Sequence, residues 1–321
     1  MNKTTISEKE KNFISAVIYV HNNENEIADF LRLLTDWLNR RFDGYEVICV
    51  NDASTDCTVE TIENFSDERL TGGDLKVINI VNMGFYQGME LSMNAGMDLA
   101  IGDFVYEFDT VAYSCQEEIL EAVYARCLEG YDIVSASPVN VSHFLSNQFY
   151  TIYNRYSGAQ YKLKTETFRI LSRRAINRVC SMSNVLPYRK AVYANCGLKM
   201  DVILYKTATK PSRGDAEKSM QLHIAEDALI LYTNLAYKMS VSVALLMMFA
   251  TIFVSIYALV IRLQGIPVEG WTTTILFVSF GFFCISFILL IILKYVELIL
   301  KTVFMHQKYV VESVEKINGE Q

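Results

Sequence analysis

The sequence predicts a doubly wound α/β domain followed by two membrane-spanning helices. Three observations carry this expectation. Apolar runs alternate with helical periodicities through the first half, polar residues follow each apolar run directly, and two long uncharged stretches lie near the C-terminus.

The first apolar run, Phe13 to Val20, is nearly continuous, as in a parallel strand buried on both faces. It stops at the polar turn His21-Asn22-Asn23-Glu24, after which Ile27, Phe30, Leu31, Leu34 and Leu38 recur at helical spacing. Tyr45 to Val50 is the second strand, closed by Asn51-Asp52-Ala53-Ser54-Thr55-Asp56, and a helix starts near Thr58. Leu75 to Val81 is the third, followed by Asn82-Met83-Gly84 and a helix from Gln87 to Leu99 with Leu91, Ala95 and Leu99 on one face. Phe104 to Phe108 is the fourth, ending at Asp109. Ligands of such sheets bind at the carboxyl ends of the strands. Asn22, Glu24, Asp52, Ser54, Asn82 and Asp109 are therefore expected around one cleft.

The middle of the chain is less regular. It reads as helices over 117–128, 144–156 and 188–195, strands over 131–135 and 199–205, and a short strand over 168–174 that turns into another helix. Arg169 and the pair Arg173-Arg174 are candidates for gripping a phosphate. Arg189, Lys190, Lys210 and Arg213 form a loose basic set suited to a lipid phosphate or anionic headgroups, with ordinary interfacial snorkelling as the alternative.

From Ala216 the pattern changes to an amphipathic juxtamembrane helix over 216–238. The uncharged stretches 240–261 and 272–293 are each long enough to cross a hydrocarbon core of roughly 30 Å. Lys238, Lys294, Lys301 and Lys308 flank this pair, whereas the hairpin between them carries a single arginine, Arg262. The positive-inside bias places the large domain and both termini in the cytoplasm, on the cytoplasmic membrane of the cell. The expected organisation is a tail over 1–12, the α/β domain over 13–215, the amphipathic helix, a transmembrane hairpin over 239–294, and a cytoplasmic tail over 295–321. Ser279, Gly281 and Ser286 would let spans of a homo-oligomer approach closely.

Composition excludes several classes. A net charge of −7 without a basic stripe argues against nucleic acid as a partner. Seven cysteines without a CxxC pair read as reduced thiols. Neither uncharged stretch carries a residue to mark an ion pathway, which argues against a channel or transporter.

The motifs taken together resemble family 2 glycosyltransferases. The segment Ser15 to Asn25 is similar to that family's opening Val-Tyr-Asn-Glu, and Asn51-Asp52-Ala53-Ser54-Thr55-Asp56-Cys57-Thr58 to its Asp-Asp-Gly-Ser-x-Asp-x-Thr. Asn82-Met83-Gly84, Asn94-Ala95-Gly96 and Ala100-Ile101-Gly102-Asp103 look like the signatures that follow. Phe168-Arg169-Ile170-Leu171-Ser172-Arg173-Arg174 and the two C-terminal spans narrow the resemblance to polyisoprenyl-phosphate glycosyltransferases, such as bactoprenol glucosyltransferases and dolichol-phosphate mannose synthases. The likeness covers about Phe13 to Leu293.

The resemblance implies a GT-A-like, Rossmann-like domain that moves a sugar from a nucleotide diphosphate to the phosphate of a membrane polyprenol. It implies that Asp52 binds the base, and that Asn22, Glu24, Ser54 and Asn82 frame the nucleotide, their alternative being turn and cap residues. Asp109, with Glu107, would hold Mg²⁺ or Mn²⁺. Asp109 and Arg169 would act at the reacting phosphates, while Lys190, Lys210 and Arg213 would receive the lipid phosphate.

The sequence also departs from the pattern. The family's Asp-x-Asp reads Asp109-Thr110-Val111, its Asp before Phe-Arg is Thr167, its opening Pro-Val-Tyr-Asn-Glu is Tyr19-Val20-His21-Asn22-Asn23, and its acid-proline segment is replaced by Tyr113-Ser114-Cys115-Gln116. These departures define a competing expectation, a transferase-like partner subunit without turnover. A third is a transferase acting on another lipid-linked acceptor.

Overall fold

Four strands form the parallel centre of the sheet: β1 (Ile14–Val20), β2 (Tyr45–Asn51), β3 (Ile78–Met83) and β4 (Phe104–Phe108). β1 and β2 are buried at every position, as their largely apolar runs require, and the buried Ser15 and Glu46 meet in a hydrogen bond across the two strands. The structure is a computed structural model that describes residues 9–71, 77–111, 116–139, 144–182, 188–206, 228–229, 233, 235–263, 270–304 and 309–317. The helices between these strands are α1 (Ile27–Arg41), α2 (Thr58–Thr71) and α3 (Met89–Leu99). The full strand order is β7-β5-β6-β4-β1-β2-β3-β8, with β5 (Ile133–Pro138), β6 (Phe168–Ser172), β7 (Met200–Tyr205) and β8 (Val311–Ile317) completing it.

The chain winds outward from β1 through β2 to β3, then returns to place β4 on the other side of β1. That reversal opens a crevice at the carboxyl ends of β1 and β4. Beyond β4 the sheet becomes mixed, because β6 runs antiparallel to both β4 and β5. Register sets Glu107 of β4 directly opposite Arg169 of β6, and Phe108 opposite Phe168. The core beneath is aromatic: Phe30, Trp37, Phe42, Tyr106, Phe108 and Phe168 are buried in one cluster. Each such side chain contributes roughly 1.5–3 kcal/mol by leaving water.

α3 presents only part of the face expected of it: Ala95 is buried. Leu99 is exposed and Leu91 only partly covered, while Glu90, Met93, Gly96 and Met97 are buried. The reason lies at Gly96, where a Cβ would fall 2.4 Å from Val17 and 2.6 Å from Val50. The helix therefore seats its glycine against β1 and β2, which rotates Leu91 and Leu99 away from the sheet.

The C-terminal segment also differs from expectation. Residues 295–321 were expected as a tail, but the helix runs on to Phe304 and β8 then pairs antiparallel with β3 along Ile78–Met83. Between β4 and β7 the described helices are α4 (Glu117–Leu128), α5 (Phe144–Tyr156), α6 (Arg173–Met182) and α7 (Arg189–Asn195). The chain divides into two compact units, one holding residues 1–154, 159–224 and 306–321, the other 155–158 and 225–305.

The second unit contains α8 (Leu235–Leu263) and α9 (Trp271–Phe304). Gly281 of α9 faces Met247 of α8, where a Cβ would lie 3.6 Å from the methionine methyl. Large apolar side chains point outward from both helices, among them Phe253 (71% exposed), Phe283 (67%) and Leu293 (68%). Among the described residues no helix is long and apolar enough to cross a membrane, so the two spans expected over 240–261 and 272–293 are not established by the fold. Most of the expected amphipathic helix over 216–238, together with Lys210 and Arg213, lies outside the described residues.

Candidate active site

The turns after β1 and β2 interlock. Asn22 and Ala53 both adopt the left-handed region, at φ 54° and 52°. Asparagine tolerates that conformation, but alanine does so at a cost of roughly 1–2 kcal/mol. Three hydrogen bonds hold the pair of turns: Asn22 N–H to Ser54 Oγ at 3.1 Å, Thr55 N–H to Asn22 Oδ1 at 2.8 Å, and Ser54 N–H to Asn51 Oδ1 at 3.0 Å. Glu24 accepts from Cys57 N–H at 3.0 Å, close to the start of α2. The residues expected to frame a nucleotide are thus brought together, and in this structure they brace one another.

Asp52 is fully buried at the end of β2. Its carboxylate accepts from Gln87 N–H and Gly88 N–H, each at 2.8 Å, and from the Tyr19 hydroxyl at 3.0 Å. A carboxylate offers about four acceptor positions, and three of those on Asp52 are taken by groups of the protein itself. The two amides belong to the lead-in of α3, and Asp52 thereby fixes where that helix begins.

Asn82 lies between Asn51 and the C-terminal strand. Its Oδ1 accepts from Asn51 Nδ2 at 2.9 Å, and its Nδ2 donates to Ser313 Oγ at 3.1 Å and Glu315 Oε1 at 2.9 Å. Gln87 clamps the same strand: its Nε2 donates to Val310 O at 2.7 Å, and its Oε1 accepts from Val310 N–H at 2.9 Å. One residue therefore links Asp52, through its backbone, to β8, through its side chain.

At the end of β4 stands a buried charge cluster. Arg169, opposite Glu107 in register, donates to Glu107 Oε2 at 2.5 Å and Asp109 Oδ2 at 2.6 Å, with Glu166 at 3.2 Å from its Nε. Arg189, the first residue of α7, pairs with Glu90 at 2.9 Å and with Asp109 Oδ1 at 2.8 Å. Its Nη1 sits 3.0 Å from Glu107 Oε1 but without hydrogen-bond geometry. The Tyr193 hydroxyl donates to the same Glu107 oxygen at 2.7 Å. Lys190 Nζ is 3.8 Å from Asp109 Oδ2.

Burial alone would raise the carboxyl of Asp109, but Arg169, Arg189 and Lys190 outweigh it and hold the group well below the usual carboxylate range. Burial would likewise lower Arg169 and Arg189, and their carboxylate partners instead raise both. Burial pushes the Tyr193 phenol up, with Glu107 adding to it, so this residue stays a neutral donor.

Whether these residues suit a divalent cation can be judged from the same contacts. Glu107 is wholly buried, and its two oxygens face Arg169, Arg189 and Tyr193. Both oxygens of Asp109 face guanidinium groups. Among the described residues no three His, Cys, Asp or Glu side chains form a cation cluster. Where the Asp-x-Asp motif would place its second acid, Val111 packs in the hydrophobic core at 4% exposure. Asp109 and Glu107, expected as cation ligands, are instead the counter-ions of two arginines. The set does not fit Mg²⁺ or Mn²⁺.

Other expectations resolve in the same way. Arg173 donates to the carbonyls of Ala100 and Gly102, and Arg174 pairs with Asp132 at 2.5 Å. Arg173 is thereby tied to the backbone before β4, while Arg174 stands at the surface with its side chain 68% exposed. Thr167 shares a hydrogen bond of 2.8 Å with the Tyr205 hydroxyl. Glu90, Gln87, Tyr193 and the burial of Arg189 escaped sequence reading, whereas Glu166 is the acid beside Thr167 in the sequence. Glu90 had left a trace, because it shares a helical face with Met93 and Met97, and an acid on an otherwise buried stripe needs a partner.

A crevice at the switch point of a mostly parallel sheet, with interlocked turns on one side and buried cations on the other, defines a nucleotide-ligand enzyme of the GT-A-like α/β class. Residues 15–186 match glycosyl transferase family 2, and the chain belongs to that family. A Synechocystis protein described as an uncharacterized glycosyltransferase is 29% identical over 199 residues, covering 60% of each chain. An Escherichia coli prophage bactoprenol glucosyl transferase homolog is 25% identical over 203 residues, covering 61% of this chain and 64% of its own. Each match spans less than two thirds of the relative's length. Among solved structures, glucosyl-3-phosphoglycerate synthase of Mycobacterium tuberculosis, in complex with Mn²⁺, UDP-glucose and phosphoglyceric acid, aligns at 12% identity and a TM-score of 0.48. That alignment covers 68% of this chain and 79% of that one.

Proposed function

We propose that the chain transfers a sugar from a nucleotide diphosphate sugar to a polyprenyl phosphate at the cytoplasmic face of the cell membrane. The product would be a lipid-linked sugar of the kind consumed in building cell-surface polysaccharide. The observation that carries the lipid acceptor is the joining of a family 2 domain to α8 and α9, whose large apolar side chains face outward. A soluble sugar acceptor would give such side chains no partner, whereas a lipid bilayer would cover them. The bactoprenol named in the E. coli relative points the same way.

Connectivity supports a hairpin. The chain leaves the sheet-containing unit before α8 and rejoins it after α9 as β8. Any passage of the chain through a bilayer between these points would have to be even in number to allow that return. The lysines flanking the pair agree with a cytoplasmic catalytic unit.

In this reading the nucleotide lies over the turns of Asn22, Asp52, Ser54 and Asn82, and the diphosphate points towards Asp109 and its cations. Asp109 orients Arg169, Arg189 and Lys190. The acceptor phosphate is already anionic, so positioning it against the sugar matters more than removing a proton.

The experiment is a transfer assay on the full chain in vesicles containing undecaprenyl phosphate, supplied in turn with radiolabelled UDP- and GDP-sugars. Label should move into the organic phase with one donor and only when the lipid phosphate is present. Label that stays in water with every donor would reject the proposal.

A further inference from the structure

We infer that this site neutralises the donor diphosphate with side-chain cations, Lys190 foremost, and needs no divalent metal ion. The inference builds on the transferase reading above and concerns how that site handles charge.

A metal-dependent site keeps carboxylate oxygens open towards the phosphates. Here Asp109 points each oxygen at a different guanidinium, Oδ2 to Arg169 at 2.6 Å and Oδ1 to Arg189 at 2.8 Å. Glu107 has no exposed surface and is held by Arg169 and Tyr193. The second acid of the expected pair is Val111, whose side chain belongs to the core. A divalent ion brought to Asp109 would stand among three positive side chains, and like charges at such distances repel strongly in a buried site. Side-chain cations thus already occupy the carboxylate oxygens that a metal would use.

Arg189 is the key to this arrangement. It pairs with Glu90 of α3, faces Glu107 of β4 and reaches Asp109, so its position is set from several elements at once. Arg169 is fixed in the same manner by Glu107, Asp109 and Glu166. Both are almost wholly buried and act as a rigid support. Lys190 differs. Its side chain keeps 10% exposure, and its ammonium stands 3.8 Å from Asp109, beyond hydrogen-bond reach. With three donors and a flexible stem it can turn to a phosphate oxygen while Asp109 holds it near the crevice.

The step balances without a metal. An oxygen of the acceptor phosphate forms a bond to the anomeric carbon as the bond from that carbon to the β-phosphate oxygen breaks. The electron pair leaves with the nucleoside diphosphate, whose added negative charge meets the ammonium of Lys190. No proton moves and no further reactant enters.

The test is calorimetric titration of the full chain in detergent with UDP and with GDP, once with Mg²⁺ or Mn²⁺ and once with EDTA. The account expects affinity for one nucleotide to change by less than about threefold between the two conditions, and Lys190→Ala to weaken it by about tenfold or more with Lys190→Arg restoring much of it. Binding that disappears in EDTA and returns with Mn²⁺ would overturn the inference while leaving the transferase reading intact. Absence of binding to either nucleotide in both conditions would remove the transferase reading and this inference with it. The EDTA arm uses the unaltered protein, so it decides the matter even where Lys190→Ala fails to fold.

Discussion

Arg189 Nη2 lies 2.8 Å from Asp109 Oδ1, and this pairing joins α7 to the end of β4 inside the protein. The same guanidinium holds Glu90 at the start of α3, the helix whose lead-in amides rest on Asp52. A path of contacts therefore runs from Asp52 at the end of β2, through the start of α3 and Arg189, to Asp109 at the end of β4.

Removing Arg189 should be costly. Arg189→Met keeps much of the volume but leaves Glu90, Glu107 and Asp109 short of a buried partner. Breaking a buried pair of this kind costs about 3–5 kcal/mol. Thermal unfolding of the variant in detergent should show a clear fall in midpoint. A melting curve that overlays the parent would mean that the pairing contributes nothing.

Asp109 should also show itself in acid. Its carboxyl is held below the usual range in the folded chain. Its stabilisation is therefore complete above the unfolded value of about 3.9 and is lost as pH falls from there towards the folded one. The melting gap between the parent and Asp109→Asn should hold steady from neutrality to about pH 5 and narrow below about pH 4. A gap that stays constant throughout the acid range would contradict the assignment.

Gln87 ties the C-terminal strand to the crevice. Gln87→Ala removes two hydrogen bonds to Val310, worth about 1 kcal/mol each. Amides of β8 should exchange faster with deuterium than in the parent, and nucleotide binding should weaken because the Asn82 side of the crevice loses support. Unchanged protection across 311–317 would show that the strand holds without the clamp.

The turn after β2 stores strain at Ala53. Ala53→Gly removes the left-handed penalty but adds freedom to the unfolded chain, leaving a net gain of roughly 0.5–1 kcal/mol. The variant should melt slightly higher than the parent. A lower midpoint would mean that the methyl group makes a contact outweighing the strain.

The sequence showed the sheet more clearly than the site. Strands such as Ile14–Val20 announce themselves because a strand buried on both faces is largely apolar, and the turn residues Asn22, Asp52 and Asn82 follow such strands closely. The charge cluster could not be read in that way. Glu107 and Arg169 lie 62 positions apart and meet only through the antiparallel register of β4 and β6. Arg189 looked like one of several surface cations, since nothing local reveals that α7 turns it inward. β8 was hidden for a related reason: its alternating, mostly exposed residues form an edge strand, and its partner β3 precedes it by more than two hundred positions. Val111 and Thr167 were visible as departures, but only the fold gives them roles, one in the core and the other bonded to Tyr205.

The most direct measurement of the central claim is the mass of the lipid recovered from vesicles after incubation with the full chain, undecaprenyl phosphate and the nucleotide sugar it binds. The account predicts a new lipid heavier by one glycosyl residue, formed equally in EDTA and lost in Lys190→Ala. A lipid fraction that remains unmodified while the nucleotide sugar is bound, or is merely hydrolysed to free sugar, would contradict transfer to a polyprenyl phosphate.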